Sequence, residues 1–223
     1  MVEAGAKLRL RFAKKGRAVY ISHLDLMRTM QRAFLRADYP LKYSEGFNPH
    51  PVISILLPLG VGAHSECELM DFSLTRPCDL AALPAYLTAA MPEGIEALEA
   101  YAGGRKVKEL KWLRVTGVLE YDRRALDEMR SGLSEFFAQS SIVIMKKTKR
   151  GEGESDIAPA IREIGFASGV GCVRLEAVIS AQEPTLNPEH LVNALRQLAP
   201  ALAPDFAEFT RREVYDADMN IFR

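Results

Sequence analysis

The sequence predicts an α+β chain built from two tandem modules, each running β-α-β-β-α-β with a mostly antiparallel sheet. Three observations carry this prediction. Short alternating apolar runs of strand length and longer runs of helical spacing follow one another in the same order twice. The charge divides the same way. Residues 1–56 hold ten Lys or Arg against four Asp or Glu, residues 57–104 one against seven, residues 105–150 twelve against six, and residues 151–223 six against twelve. A short basic linker, GGRKVK from Gly103 to Lys108, separates the halves. The modules are therefore placed at 1–104 and 105–223, each of roughly the length that a small independent core requires.

In the first module LRLRF alternates and predicts a strand over 7–12. A helix is expected over 22–37. There Ser22-His23-Leu24-Asp25 offers a hydroxyl N-cap with a carboxylate three residues on, and Ile21 and Leu26 stand at the positions of a hydrophobic staple. Extended segments follow at 41–43, 52–57 and 66–74, the last placing Cys67, Leu69 and Asp71 on one face and Glu66, Glu68 and Met70 on the other. A second helix over 79–91 takes Asp79 as its cap, with Pro84 an oddity near its first turns, and 95–100 returns as a strand. In the second module the order is strand 110–121, helix 122–138, strand 142–147, a polar segment around Asp156, strand 173–180, a helix from 187 or 188 to 198, and strand 206–215. This order predicts ferredoxin-like modules, each a four-stranded sheet with both helices on one face.

Composition excludes several classes. With 48% hydrophobic and 26% charged residues, the chain reads as globular, and no apolar run approaches the ~18 residues that span a bilayer. The N-terminus has no apolar signal-peptide core, so a cytoplasmic location without a membrane partner is expected. Cys67, Cys78 and Cys172 are odd in number, far apart and without a C-x-x-C pair. They are expected as buried, reduced thiols rather than a disulfide framework or a metal knuckle. No cofactor is expected.

The stretch from Tyr20 to Asp71 concentrates the chemistry. Arg28, Arg32 and Arg36 stand at i, i+4 and i+8 of the first helix, with Met27, Met30 and Phe34 on another side. The stripe is either a phosphate-facing ridge or the wet side of an amphipathic helix. Lys42, Tyr43 and Phe47 nearby supply the mix of cations and stacking surfaces that single-stranded RNA sites use. In the loop from Ser44 to Pro51, Pro49 and Pro51 flank His50 and stiffen the backbone that presents it. His50 is then either a site residue, as phosphate donor, stacking surface or acid and base, or a turn histidine that caps its own loop. Leu57-Pro58-Leu59-Gly60-Val61-Gly62 lacks the spacing of a nucleotide-binding loop and reads better as a bulged hairpin connection. His23, His50, His64, Asp25, Glu66 and Glu68 offer no H-x-x-x-H pair, so no metal site is expected. Ser22, His23 and Asp25 are explained by helix capping before any hydrolytic triad. The run from Lys146 to Arg150 is either a phosphate-tracking loop or a solvated hairpin tip.

The runs Ile21 to Asp25, Gln31-Arg32-Ala33, Tyr43 to Pro51, Pro58 to Gly62 and Glu68 to Asp71 resemble the radical-SAM-linked proteins. This bacterial family of unknown function occurs either fused behind a radical S-adenosylmethionine protein or as a separate companion chain. The resemblance implies a radical SAM enzyme as partner and a tRNA or rRNA as substrate. The chain has no C-x-x-x-C-x-x-C, so the radical chemistry would come from the partner. The expected function is a noncatalytic RNA-binding or substrate-presenting companion, with Arg28, Arg32, Arg36, Lys42, Tyr43, Phe47 and His50 as the RNA contacts. Two alternatives stay open. One is an RNA-cleaving or RNA-modifying enzyme using His50 or His23, and the other is a docking module that binds the radical enzyme without touching RNA.

Overall fold

The computed structural model describes residues 1–148 and 151–223. Contacts divide the chain into one unit of residues 1–107 with Arg223 and a second of residues 108–222. Lys149 and Arg150 of the basic run lie outside the described residues. The fold is mixed α+β, with antiparallel sheets and, among the described residues, four α-helices.

The first unit runs β1 (Leu8–Lys14), α1 (His23–Arg36), β2 (Ile53–Leu56), β3 (His64–Phe72), α2 (Leu83–Ala90) and β4 (Ile95–Ala102). Its strands lie in the order β4-β1-β3-β2, and each neighbouring pair is antiparallel. The period of two in β1 sends Leu8, Leu10 and Phe12 to one face, where they register with Phe72, Met70 and Glu68 of β3. Leu26, Met30 and Phe34 of α1 and Leu83 and Leu87 of α2 join that face in a single apolar cluster. Each such side chain, fully buried, stabilises the unit by about 1.5–3 kcal/mol relative to exposure. The Phe34 and Phe72 rings meet at 5.0 Å in a tilted arrangement.

Two expectations change here. The second helix starts at Leu83 rather than 79, because the Asp79 carboxylate accepts the Ala81 N–H in a local turn. Pro84 then sits in the first helical turn, where its missing N–H leaves no bond unmade. Residues 41–43 form no strand but two isolated bridges, Leu41 to Leu74 and Tyr43 to Pro51.

The second unit runs β5 (Trp112–Glu120), α3 (Leu126–Phe137), β6 (Val143–Thr148), β7 (Gly151–Asp156), β8 (Ile161–Ser168), β9 (Cys172–Ser180), α4 (Glu189–Leu198) and β10 (Phe206–Tyr215). Its main sheet has the order β10-β5-β9-β8, again antiparallel throughout. The strand expected over 142–147 does not join this sheet. It pairs with β7 in a separate two-stranded sheet, and β8 takes the place beside β9. A register shift between Ile161 and Glu163 breaks the alternation of β8, so its apolar residues Ile161, Ile164 and Phe166 show no period of two. The residues of β7 are too polar to announce a strand. The outer edge of β6 meets Gln197 of α4, whose Oε1 accepts the Met145 N–H at 2.8 Å while its Nε2 donates to the Met145 carbonyl at 3.1 Å.

Strand β1 carries two buried charges. Arg9, on the face away from the helices, donates to both Asp71 oxygens at 2.6 and 3.2 Å and to the Arg105 carbonyl at 2.8 Å. Lys14 ends the strand on the helix side, and its ammonium donates to the carbonyls of Val19 (3.2 Å) and Ile21 (3.0 Å). It thereby ties down the turn that leads into α1. Burial lowers the Lys14 pKa, and the nearby buried Glu68 carboxylate opposes that shift. Lys14→Met is expected to destabilise the protein by about 3 kcal/mol in denaturant titrations, because it takes the charged donor away from the Val19 and Ile21 carbonyls. A second signature follows from linkage. Between the lowered Lys14 pKa and 10.5 the unfolded chain binds more protons than the folded one, so stability gains from this group as pH rises through that interval. The Lys14→Met variant should lose that gain.

Candidate functional site

The first helix of the site is fixed at both ends by side chains that the sequence supplies. At its start the Ser22 Oγ accepts the Asp25 N–H at 3.2 Å and donates to Asp25 Oδ2 at 2.7 Å. Arg28 donates to the other carboxylate oxygen at 3.0 Å. The hydrogen bond from Ser22, and after it that from Arg28, holds the Asp25 carboxyl below the usual carboxylate range. At its end Asp38 takes a left-handed φ of 58°. The Asp38 N–H reaches Leu35 O and the Tyr39 N–H reaches Phe34 O, a Schellman reversal made without glycine. Arg76 holds the Asp38 carboxylate at 2.8 Å.

The reversal sends Tyr39, Pro40 and Leu41 back alongside the helix they have just left. Two further bonds, Thr75 N–H to Pro40 O and Lys42 N–H to Ser73 O, lay this segment against the chain beyond β3. Gln31, Arg32 and Leu35 from the helix and Tyr39, Leu41 and Tyr43 from the returning segment then enclose an open hollow of about 290 Å³. On the other side of Arg32 lies a second hollow of about 320 Å³, lined by Thr29, Arg32, Arg36 and residues 90–92.

This geometry separates three arginines that look alike in sequence. Arg28 is engaged with Asp25. Arg36 is committed to α2, its Nε donating to the Ala90 carbonyl at 3.2 Å and its Nη2 to the same oxygen. Arg32 is exposed and, among the described residues, its side chain makes no hydrogen bond or ion pair. Lys42 is exposed as well, but it alternates with Leu41 and Tyr43, so it points away from the hollow that they line.

The loop from Ser44 to His50 is closed on itself. The Ser44 N–H donates to His50 O at 2.9 Å, the His50 N–H donates to Ser44 Oγ at 3.1 Å, and His50 Nδ1 lies 3.0 Å from the same hydroxyl. Asn48 O is 3.4 Å from Nδ1. Phe47 stands fully exposed near the apex of this loop. His50 therefore caps its own loop through Nδ1 and leaves Nε2 to solvent. His23, the first residue of α1, is also exposed. Nine residues separate it from Arg32, which at 100° and ~1.5 Å per residue sets the two on opposite sides of the helix about 13 Å apart along its axis. His23 and Arg32 thus do not share one face of α1. Among the described residues no group of three His, Cys, Asp or Glu could hold a metal ion, and all three cysteines are buried and outside any disulfide. Among the described residues no helix is long and apolar enough to cross a membrane.

Leu35, Tyr39 and Leu41 carry no sign of a site in the sequence. Pro40 just beyond the helix marks its end, but the side of the helix against which the reversed chain lies follows from the left-handed Asp38 together with the bonds to Ser73 and Thr75.

The chain is thus an α+β protein whose first unit presents a basic and aromatic surface hollow. Residues 7–188 match the family described as "Uncharacterized protein conserved in bacteria (DUF2344)", and the chain belongs to it. A search among curated proteins finds no match. Among solved structures it is similar to a chain of a Cbf5-Nop10-Gar1 complex, with 10% identity and a TM-score of 0.49. The match covers 93% of this chain and 48% of that one, so this chain spans about half of that length. It is also similar to an unknown protein from Galdieria sulphuraria, with 9% identity and a TM-score of 0.27, over 92% and 98% of the two chains. Likenesses of this size carry no functional argument.

Ser44 is expected to hold the loop together. Ser44→Ala should speed hydrogen exchange at the His50 amide by about tenfold, the worth of one hydrogen bond. An unchanged protection factor would show that the prolines alone suffice.

Proposed function

We propose that this chain is a noncatalytic RNA-binding, substrate-presenting companion of a radical S-adenosylmethionine enzyme that acts in tRNA or rRNA modification or processing. The observation that carries the reading is the uncommitted Arg32 guanidinium on the rim of a hollow lined by Tyr39 and Tyr43. An arginine without a protein partner beside an exposed ring, Tyr43, and a half-buried one, Tyr39, is the pairing that single-stranded RNA sites use, cation for phosphate and ring for base. The motif resemblance supports the radical enzyme as partner. The fold reading takes each unit as a ferredoxin-like module, supported by the shared strand order β4-β1-β3-β2 and β10-β5-β9-β8. In the second unit β6 and β7 are then an insertion between the first helix and the second strand of the module. A cytoplasmic location accords with such a partner.

Titration of the purified protein with tRNA is expected to show binding at low ionic strength that weakens as salt rises, with a log–log slope of about −0.7 for each single-strand phosphate engaged. Absence of binding at low salt would overturn the RNA reading. A stable complex with the radical enzyme that ignores substitution of Arg28, Arg32 and Arg36 would then favour docking alone.

One observation favours a second reading. The His50 N–H donates to Ser44 Oγ; with the Ser44 hydroxyl donating in turn to Nδ1 the ring proton lies on the exposed Nε2, and with Nδ1 donating to Asn48 O it leaves Nε2 an acceptor. With its proton on Nε2 the ring can donate to a phosphate oxygen, and with Nε2 bare it can take a proton from an attacking hydroxyl. If it is catalytic, His50→Ala abolishes turnover of an RNA that the wild type cleaves or modifies, and unchanged turnover removes the reading.

A further inference from the structure

We infer that the two hollows beside Arg32 are a subsite for one unpaired nucleotide of a single-stranded RNA. The base lodges against Tyr43, Tyr39 and Leu35, and its phosphate lies across Arg32 between Thr29 and Arg36. This rests on the RNA-binding reading above and specifies which form of RNA the surface accepts.

Five features support the assignment. The tyrosine-lined hollow of about 290 Å³ is of the size that a base and its sugar fill. Its walls include the flat ring of Tyr43 and the side chain of Leu35, 54% and 77% exposed. These are surfaces that the chain leaves open and that a base would cover. The second hollow is polar where the first is apolar, offering the Thr29 hydroxyl and two guanidinium groups. Arg36 is oriented in advance, because Nε and Nη2 are tied to the Ala90 carbonyl while Nη1 makes no hydrogen bond among the described residues. Arg32 lines both hollows and therefore joins them.

The local charge agrees. The acidic groups nearest in sequence are already engaged, Asp25 by Ser22 and Arg28, and Asp38 by Arg76. A base held in a duplex presents only its edge and cannot enter a hollow between a helix and the chain that folds back on it. Single strands are thus selected by shape before any base is read.

Fluorescence anisotropy with a labelled twenty-nucleotide oligouridylate, single-stranded and annealed to its complement, tests this. The single strand should bind at least tenfold more tightly than the duplex. Arg32→Ala and Tyr43→Ala should each weaken it by about tenfold, and Arg32→Ala should also make the salt slope shallower by about 0.7. Irradiation with a 4-thiouridine oligonucleotide should label the peptide that contains Tyr43. Both residues lie on the surface, and the milder Arg32→Gln and Tyr43→Leu should show the same losses if truncation disturbs the fold. Duplex binding as tight as that of the single strand, or single-strand affinity indifferent to these substitutions, would overturn the subsite while leaving RNA binding in place. No binding of any RNA would overturn the broader reading as well.

Discussion

Strand β1 lies between β3 and β4 and is buried on both faces, so every polar group it carries must find a partner inside the protein. Desolvating an ammonium or guanidinium costs several kcal/mol unless hydrogen bonds replace the lost water. Arg9 meets this constraint with a two-point contact to Asp71 and a backbone carbonyl. Lys14 meets it with two carbonyls of the following turn. Each solution fixes more than its own side chain. The first locks the register of β1 on β3, since a slip of one residue would move Arg9 to the apolar face. The second determines where the chain leaves the sheet and so the point from which α1 begins.

From there the candidate site is a matter of how a helix ends. Asp38 accepts a left-handed conformation that glycine adopts more easily, and the short polar side chain is held there by Arg76. Had the chain continued away from α1, Arg32 would stand on an ordinary solvated surface. Because it turns back, one of three arginines acquires a rim of tyrosine and leucine. Identical residues at identical spacing thus end with different employment, and the difference lies in what they touch rather than in what they are.

This explains which parts were legible in the sequence. The Ser22 cap, the buried face of α1 and the alternation of β3 depend on neighbours within one turn or one strand, and the structure has them as read. The hairpin connection at 57–63 is also local, with Leu57 and Gly62 taking the positive φ angles. The place of β8 was hidden because a register shift removes its period, and a polar β7 gave no sign of being extended. The hollow was hidden for a different reason. Tyr39, Leu41 and Tyr43 read as a connecting piece, and only contacts with residues some thirty positions later, at 73–75, show which side of the helix they cover.

Gln197 gives the β6–β7 hairpin a property that reaches beyond its own attachment. A two-stranded sheet has two open edges, and each is a template on which a strand from another molecule can grow. At Met145 both backbone groups of the outer edge are already taken by a carboxamide, which has the donor and acceptor of a peptide unit but no chain to continue. The ladder is terminated in the middle of β6 by a side chain. That edge of the hairpin is thereby closed to strand addition at Met145.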